Sequence, residues 1–520
     1  MGFLLFCMLI LSLIGCSPQS VADQPGQGIT GVGALAMLPP LAEIRSSSMV
    51  LGFAHLGRET ALRELNAWNE GDSLRLASST HSITWGIWGF ANSTGASSCT
   101  VEFSGNAGSE AYLAISDYSR GAWEFRGLLP GPQQVLDVDD PRYVSPSGHF
   151  YVAVIAYGGS NILVDRLELS ANVSPAQLTI DNSGGYTSLA MVNGRPAISF
   201  YDDADHDLRY VRAADAYGTS WDAAQTLDST GDTGQYTSLK VVDGFPAIAY
   251  YDFTEKNLRY VRALDANGET WGSPVTVDGA GTTGEYCSLD VVSGSPAISY
   301  YYYDGPALRY VRAADSTGST WSAPLTVDSD GNTGQYTSLA EVYSTLASYP
   351  AISYRNGGAG ELRYVRGTDA TGSAWAAPVI LESGDNTGFS SSLAIVNTYP
   401  AVCYYNSTQS ELRYKMATDM VGDTWRAAQT LDGLTEDAGD YCSLAVVGGV
   451  PAISYYNGLH GDLRYIKAQD ANGDNWGSSV LLDETSNVIG QYTFLIDIFG
   501  VPAISYYDQT NGKLRYKWGQ

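Results

Sequence analysis

The tripeptide Leu-Arg-Tyr begins at Leu208, Leu258, Leu308, Leu362, Leu412, Leu463 and Leu514, at spacings of 50, 50, 54, 50, 51 and 51 residues. A Pro-Ala-Ile or Pro-Ala-Val tripeptide starts 12 residues before each copy, from Pro196 to Pro502. In six copies a Trp follows the Leu by 13 residues, from Trp221 to Trp476. A fixed period of this length means one supersecondary unit repeated in tandem, each copy burying its faces against its neighbours. Each unit reads as four short strands. In the second copy these are Tyr236 to Val242, Ala247 to Tyr251, Leu258 to Arg262, and the segment from Trp271 to Asp278. Asp243-Gly244 supplies a tight hairpin turn, and Pro246 sits at a strand start, where a missing N–H is tolerated.

The last copy ends at Gln520, just after its third strand. Its missing fourth strand has a counterpart ahead of the array. Ser174-Pro-Ala-Gln-Leu-Thr-Ile-Asp181 aligns with Trp221-Asp-Ala-Ala-Gln-Thr-Leu-Asp228 and runs directly into Tyr186. A strand offered before the first unit and lacking after the last is what ring closure requires, and closure removes unpaired edges. The expected fold is all-β: a seven-bladed β-propeller of four-stranded blades over 174–520, with an N-terminal strand closing the last blade. Residues 31–173 do not repeat. Their alternating runs at Thr100–Phe103, Ala111–Ile115, Phe150–Ile155 and Ile162–Leu169 predict a small β-sandwich, with a helical piece near Arg58–Trp68.

Residues 1–15 form an apolar signal segment and 16–30 a tether. Leu13-Ile14-Gly15-Cys16 resembles a bacterial lipobox, although no Lys or Arg precedes it. The resemblance implies a lipid on Cys16, an exported protein held at the cell envelope, and, through Ser17, the outer membrane or cell surface. Cys99, Cys287, Cys403 and Cys442 show no metal spacing. Cys287 and Cys442 fall at the same place in non-adjacent repeats, so these cysteines read as free and buried. The net charge of −27 argues against a nucleic-acid partner. The chain is expected to be a monomer.

Asp265-Ala-Asn-Gly-Glu-Thr-Trp271 resembles the Asp-box of sialidase-like propellers, with two residues rather than one between Asp and Gly. In that family the turn is structural. The repeated arginines Arg209, Arg259, Arg309, Arg363, Arg413, Arg464 and Arg515 are too regular for a single carboxylate grip and read as interblade ion pairs. Acidic turns such as Asp328-Ser-Asp-Gly-Asn332 suggest Ca²⁺ but lack a full ligand set, so no cofactor is expected. No nucleophile elbow, zinc-protease or phosphate-loop motif occurs, and the five histidines share no spacing.

The positions favoured for ligand contact follow each second strand, where aromatic pairs precede Asp or Asn. They are Tyr201 with Asp202, Tyr251 with Asp252, Tyr301, Arg355 with Asn356, Tyr405 with Asn406, Tyr456 with Asn457, and Tyr507 with Asp508. An aromatic face stacks on sugar C–H patches, and a carboxylate or carboxamide bonds hydroxyls. The fourth repeat departs most: Arg355 replaces Tyr, and 11 residues separate Leu339 from Pro350 where other repeats have 7. The repeats as a whole resemble the Pro-Ala-Ile-Ser-Tyr-Tyr-Asp…Leu-Arg-Tyr arrays of exported bacterial proteins, which implies a propeller and an extracytoplasmic location. The expected function is a membrane-anchored binding protein, lectin-like or protein-binding, and not an enzyme. The alternatives are a sialidase-like glycoside-processing enzyme and a structural surface spacer.

Overall fold

In this computed structural model the described residues of the first part of the chain are the strands between Ala54 and Ala171 with a few connecting residues. Those of the second run from Ala176 to Gly519, apart from 346, 434–435, 484–487 and 499. The signal segment, Cys16 and the tether lie outside them. Among the described residues the only helical element is a 3-10 turn at Pro141–Tyr143; everything else regular is β-strand. The chain divides into two compact units, 1–174 and 175–520.

The first unit contains two antiparallel sheets. One orders Ala61–Leu65, Ile83–Phe90, Phe150–Tyr157, Ala111–Asp117 and Ala122–Leu128. The other has the long strand Asn161–Ala171 between Ser73–Ala77 and Ala96–Gly105. Trp88, Val154, Ile115, Val101 and Leu167 are fully or almost fully buried. Of the helical piece expected near Arg58–Trp68, the described residues are strand, in Ala61–Leu65 and Ala67–Glu70. Arg63, Glu64 and Leu65 pair instead with Ile87, Gly86 and Trp85. Tertiary pairing with an apolar strand overrides the helix propensity of that stretch.

The second unit contains seven four-stranded antiparallel sheets. The second, taken as representative, comprises Thr233–Val242, Phe245–Asp252, Asn257–Arg262 and Val275–Asp278. Its first hairpin turns at Asp243 and Gly244, both with positive φ (48° and 80°), the geometry that matches strand twist. In the fourth sheet the extra residues lengthen this hairpin, adding the pair Tyr343↔Ser348. The apolar core lies between sheets. One cluster joins Ala247, Leu258 and Tyr260 of the second to Leu289, Ile298 and Tyr300 of the third. Burying each large side chain contributes about 1.5–3 kcal/mol, and neither sheet can do so alone.

The carboxylate ending each fourth strand is clamped by the following sheet. Asp278 accepts hydrogen bonds from the Tyr300 hydroxyl (2.6 Å) and Arg309 (2.9 Å). Asp228 receives Tyr250 and Arg259 in the same way, and Asp328 receives Tyr354 and Arg363. In six of the seven repeats the Arg thus makes an intersheet ion pair, as its regularity suggested, whereas Arg515 pairs with Asp508 of its own sheet. Each repeat Trp packs edge-on to a Tyr of the preceding sheet, as Trp271 does on Tyr210 at 4.9 Å between ring centroids.

Ala176–Asp181 pairs with Lys513–Trp518 and supplies the fourth strand of the sheet that holds Ile489–Ile498 and Val501–Asp508. The first sheet meets this last one through the contacts that join consecutive sheets elsewhere. Trp221 packs on Tyr516 at 5.0 Å, and the Tyr516 hydroxyl donates to the Tyr217 carbonyl at 2.8 Å. A Cβ on Gly184 would lie 2.5 Å from Leu514 Cβ, as one on Gly284 would lie 2.8 Å from Leu258 Cα. Gly184→Ala is therefore expected to destabilise the protein by about 1–3 kcal/mol, read as a lower urea midpoint, the nearest obstructing atoms all being those of Leu514 in the last sheet. An unchanged midpoint would mean that first and last sheets do not meet.

Candidate functional site

Six of the seven first strands open with Gly-x-Tyr, where the Tyr adopts left-handed backbone geometry. Tyr186, Tyr236, Tyr286, Tyr336, Tyr441 and Tyr492 all have φ near 50° (50°, 53°, 54°, 51°, 52° and 51°), and Ser390, the seventh equivalent, has 50°. Bulky residues rarely adopt this region. A break in strand register accompanies it, as between Glu285 and Ser288. The kink brings the phenol rings into contact from sheet to sheet. Centroids lie 4.5 Å apart for Tyr286 and Tyr336, 4.7 Å for Tyr236 with Tyr286 and with Tyr186, 4.4 Å for Tyr186 and Tyr492, and 4.6 Å for Tyr492 and Tyr441. Neighbouring phenols, in the order Tyr336, Tyr286, Tyr236, Tyr186, Tyr492, Tyr441, lie close enough to influence one another's ionisation. This crown is open at one place, Ser390. Sequence inspection sees Tyr-Thr-Ser-Leu only as a strand, because nothing in it announces a left-handed tyrosine.

The gap has its own chemistry. Ser390 Oγ donates to Asp440 (2.7 Å) and accepts from the Tyr441 amide (2.9 Å). Burial raises the Asp440 carboxyl, against the hydrogen bond from Ser390. Phe389 lies beside the gap, with the Arg355 guanidinium 4.0 Å over its ring. Arg355 is only 8% exposed and donates to Gln335 and Asn386, each at 2.6 Å. Burial pulls its pKa down. The divergent fourth repeat noted in the sequence thus contributes to the one irregular sector of the crown.

Outside the crown lie the second aromatics of the repeated pairs. Tyr201 donates to Asp232 (3.0 Å) and Tyr301 to Asn332 (2.6 Å); Tyr405 donates to Asp437, and Tyr507 feels the charge of Asp203. Tyr201, Tyr301 and Tyr405 thereby reach the entry loop of the next sheet, whereas Asp203 belongs to the turn between second and third strands of the first sheet. Tyr251 and Tyr301 are only 2% and 3% exposed, whereas Tyr405, Tyr456 and Tyr507 are half-buried. The adjoining Asp and Asn residues face inward. Asp252 accepts from the Glu255 amide and pairs with Arg259, each at 2.9 Å. Asp202 and Asp508 make similar turn and Arg contacts. Asn356, Asn406 and Asn457 accept turn amides through their side-chain oxygens. These oxygens brace the turn between second and third strands rather than opening to solvent, because the strand pairing extends through them, as Asp252↔Asn257 shows.

Two aromatics that sequence reasoning passed over are open. Phe253 is 54% exposed and Tyr303 is 59% exposed, and they occupy equivalent positions in adjacent sheets. Each caps a radial row of rings: Tyr236, Tyr251, Phe253 in one sheet and Tyr286, Tyr301, Tyr303 in the next. Their amides are pinned to the Asp232 and Thr282 carbonyls at 2.9 and 3.0 Å. Glu285 exerts its charge on both Tyr251 and Tyr301, and its own carboxyl is raised by burial. The signal was present but confined to two repeats: Asp252-Phe253 and Tyr302-Tyr303, where the others have Asp203, Gly357, Ser407, Gly458 and Gln509.

The Asp-box-like turns are structural. Asp265 accepts from the amides of Asn267, Glu269 and Thr270 and from the Thr270 hydroxyl. Burial raises its carboxyl, but these hydrogen bonds outweigh it and bring it down to about 2. Asp328, in the acidic turn considered for calcium, spends its oxygens on Tyr354, Arg363 and the Asp330 amide.

No family model matches the chain, and no curated protein matches it. Solved structures do. The NanB sialidase of Streptococcus pneumoniae is 12% identical, with 82% of this chain and 95% of that one covered and a TM-score of 0.37. The Cps50 (Swd1) β-propeller domain from Myceliophteria thermophila is 10% identical over 66% and 100% of the two chains, at a TM-score of 0.44. A point mutant of the Aleuria aurantia lectin AAL, in complex with Fucalpha1-6GlcNAc, is 11% identical over 54% and 91%, at a TM-score of 0.38. They are likenesses of fold and say nothing of what this chain binds.

Burial raises every crown tyrosine, Tyr441 to about 12 and Tyr236, Tyr336 and Tyr492 beyond that. Once unfolded, these phenols return to the ordinary value of 10.0. Stability from this source is complete below pH 10 and is lost as pH rises towards the native values. Urea midpoints measured across the alkaline range should fall steeply above about pH 10. Tyr236→Phe should flatten that limb.

Proposed function

We propose that this chain is an exported, lipid-anchored, non-catalytic binding protein. Its second unit is a closed seven-bladed β-propeller that offers the tyrosine-crown face to carbohydrate, and its first unit is a β-sandwich. The observation that carries the reading is the pair of exposed rings, Phe253 and Tyr303, each standing on a row of buried aromatics. A ring fixed in this way loses little freedom on stacking against a sugar face. Acceptors lie nearby, including Asp304, whose Oδ2 takes the Thr282 amide at 3.0 Å, and the half-buried Glu285. Sugar hydroxyls are donors suited to such carboxylates. The residues first favoured, Tyr251 and Tyr301, support these rings from beneath, and Tyr405, Tyr456 and Tyr507 line the same face at other sheets. The non-catalytic reading is supported by the repeated arginines, whose charges are engaged by Asp and Glu within and between sheets. The lipid on Cys16 and the envelope location rest on the sequence of the leader.

The test is a glycan array with the purified protein. Binding is expected, and Phe253→Ala with Tyr303→Ala should weaken it at least about tenfold, the loss of one to two stacking contacts. An array without hits, or a double variant that binds as the parent does, rejects the carbohydrate reading. The anchor is tested separately. Cys16→Ser should shift the protein from the membrane to the soluble fraction of a bacterial host; retention in the membrane fraction rejects lipidation at that residue.

A further inference from the structure

We propose that Cys403 and Cys442 form a disulfide that staples the fifth sheet of the second unit to the sixth. Cys403 lies on Tyr399–Asn406 and Cys442 on Ala438–Val447, and their Sγ atoms stand 3.2 Å apart in a fully closed interior. A disulfide bond is about 2.05 Å long, so roughly an ångström of approach completes it. None of the four described cysteines is in a disulfide and all are buried, as the sequence suggested, but the comparison of Cys287 with Cys442 does not show the Cys403–Cys442 contact, because Cys403 sits on a second strand and Cys442 on a first.

The other sheet boundaries show what the position normally does. Ser299 meets Thr337 at 2.8 Å, Ser353 meets Ser391 at 3.1 Å, and Ser505 meets Thr187 at 2.8 Å. Ser199 meets Thr237 and Ser454 meets Thr493 in the same way. At these five boundaries a pair of hydroxyls makes one buried hydrogen bond. Between the second and third sheets Cys287 takes the place of the hydroxyl and faces an alanine, Ala249, in the second strand of the preceding sheet. Between the fifth and sixth both hydroxyls are thiols. A thiol–thiol contact is a weak substitute for a hydroxyl pair, whereas a covalent bond is a strong one. This boundary is also where the crown is broken. Cys442 Sγ lies 3.0 Å from the Ser390 carbonyl, and Ser390 has no ring to stack on Tyr441. The staple stands where the aromatic contact is missing.

The oxidation is a thiol–disulfide exchange. One cysteine, as thiolate, attacks a low-molecular-weight disulfide such as oxidised glutathione, forming a mixed disulfide and releasing one thiol. The second cysteine then displaces the other half as a second thiol. Overall two S–H bonds are lost, one Sγ–Sγ bond forms, two protons pass to the departing thiols, and the donor disulfide takes both electrons. Burial raises the Cys442 thiol far above its ordinary value, which suppresses the thiolate once the sheets have closed. Exchange therefore belongs to the folding stage, and the finished bond is shielded from reductants.

The experiment refolds the reduced full chain from urea with oxidised glutathione, blocks free thiols with iodoacetamide after denaturation, and maps peptides without reduction. A peptide pair joining Cys403 to Cys442 is expected, with Cys99 and Cys287 alkylated. Alkylation of all four, or a link from Cys403 or Cys442 to another cysteine, overturns the proposal. Dithiothreitol added in urea should also lower the unfolding midpoint of the oxidised protein and leave that of Cys403→Ser with Cys442→Thr unmoved, the latter carrying the hydroxyl pair of the other boundaries. A wild-type midpoint indifferent to dithiothreitol likewise overturns it.

Discussion

A carboxylate held between two sheets organises the repeating unit. Asp278 ends one sheet with its charge almost withdrawn from water, and it is stable there because the next sheet brings the Tyr300 hydroxyl and the Arg309 guanidinium. A buried charge robbed of its partners costs several kcal/mol. A sheet on its own would leave both that charge and its apolar face unpaired. The same interaction specifies spacing, since Tyr and Arg come from neighbouring strands, paired as Tyr300↔Arg309. Even where the repeat falters the clamp is retained in part: Phe200 lacks the hydroxyl, yet Arg209 still reaches Asp181 at 3.4 Å.

That regularity explains which features could be read in the residues. Periodic Leu-Arg-Tyr, Pro-Ala-Ile and Trp marked strands and turns, because their burial follows the two-residue alternation of a sheet. Alternation tells which face a side chain takes but not how deep it lies, so Asp252 and Asn406 looked available when they are enclosed in the turn. The crown was invisible for another reason. Its tyrosines occupy backbone geometry normally left to glycine, and only the packing of the sheets imposes it. Phe253 and Tyr303 escaped notice because they break the repeat, and reasoning from repeats attends to what recurs. The strand at Ala61–Leu65 was misread as helical because its partner, Ile83–Phe90, is distant in sequence.

Departures from symmetry gather in two sectors. Sheets two and three carry the exposed rings with Glu285 close to the tyrosines beneath them. Sheets four to six carry Arg355, Phe389, Ser390, Asp440 and the adjacent thiols. Near-identical units spread equal groups around an axis, so a single ligand is distinguished only where one unit differs. The recurring residues build the scaffold, and the exceptions give it an orientation.

The seam strand bears on synthesis as well as on stability. Ala176 pairs with Trp518, its counterpart 342 residues later in the chain. The segment 176–181 therefore waits for its place while all the remaining sheets are synthesised. Six sheets are complete from their own contiguous residues; the seventh is completed only when the two ends of the array meet. Until then the early strand is an unpaired edge, open to strands of other chains. The interval between its appearance and its capture is the stage at which a holding chaperone, or passage across a membrane before folding, would most affect the yield of native protein.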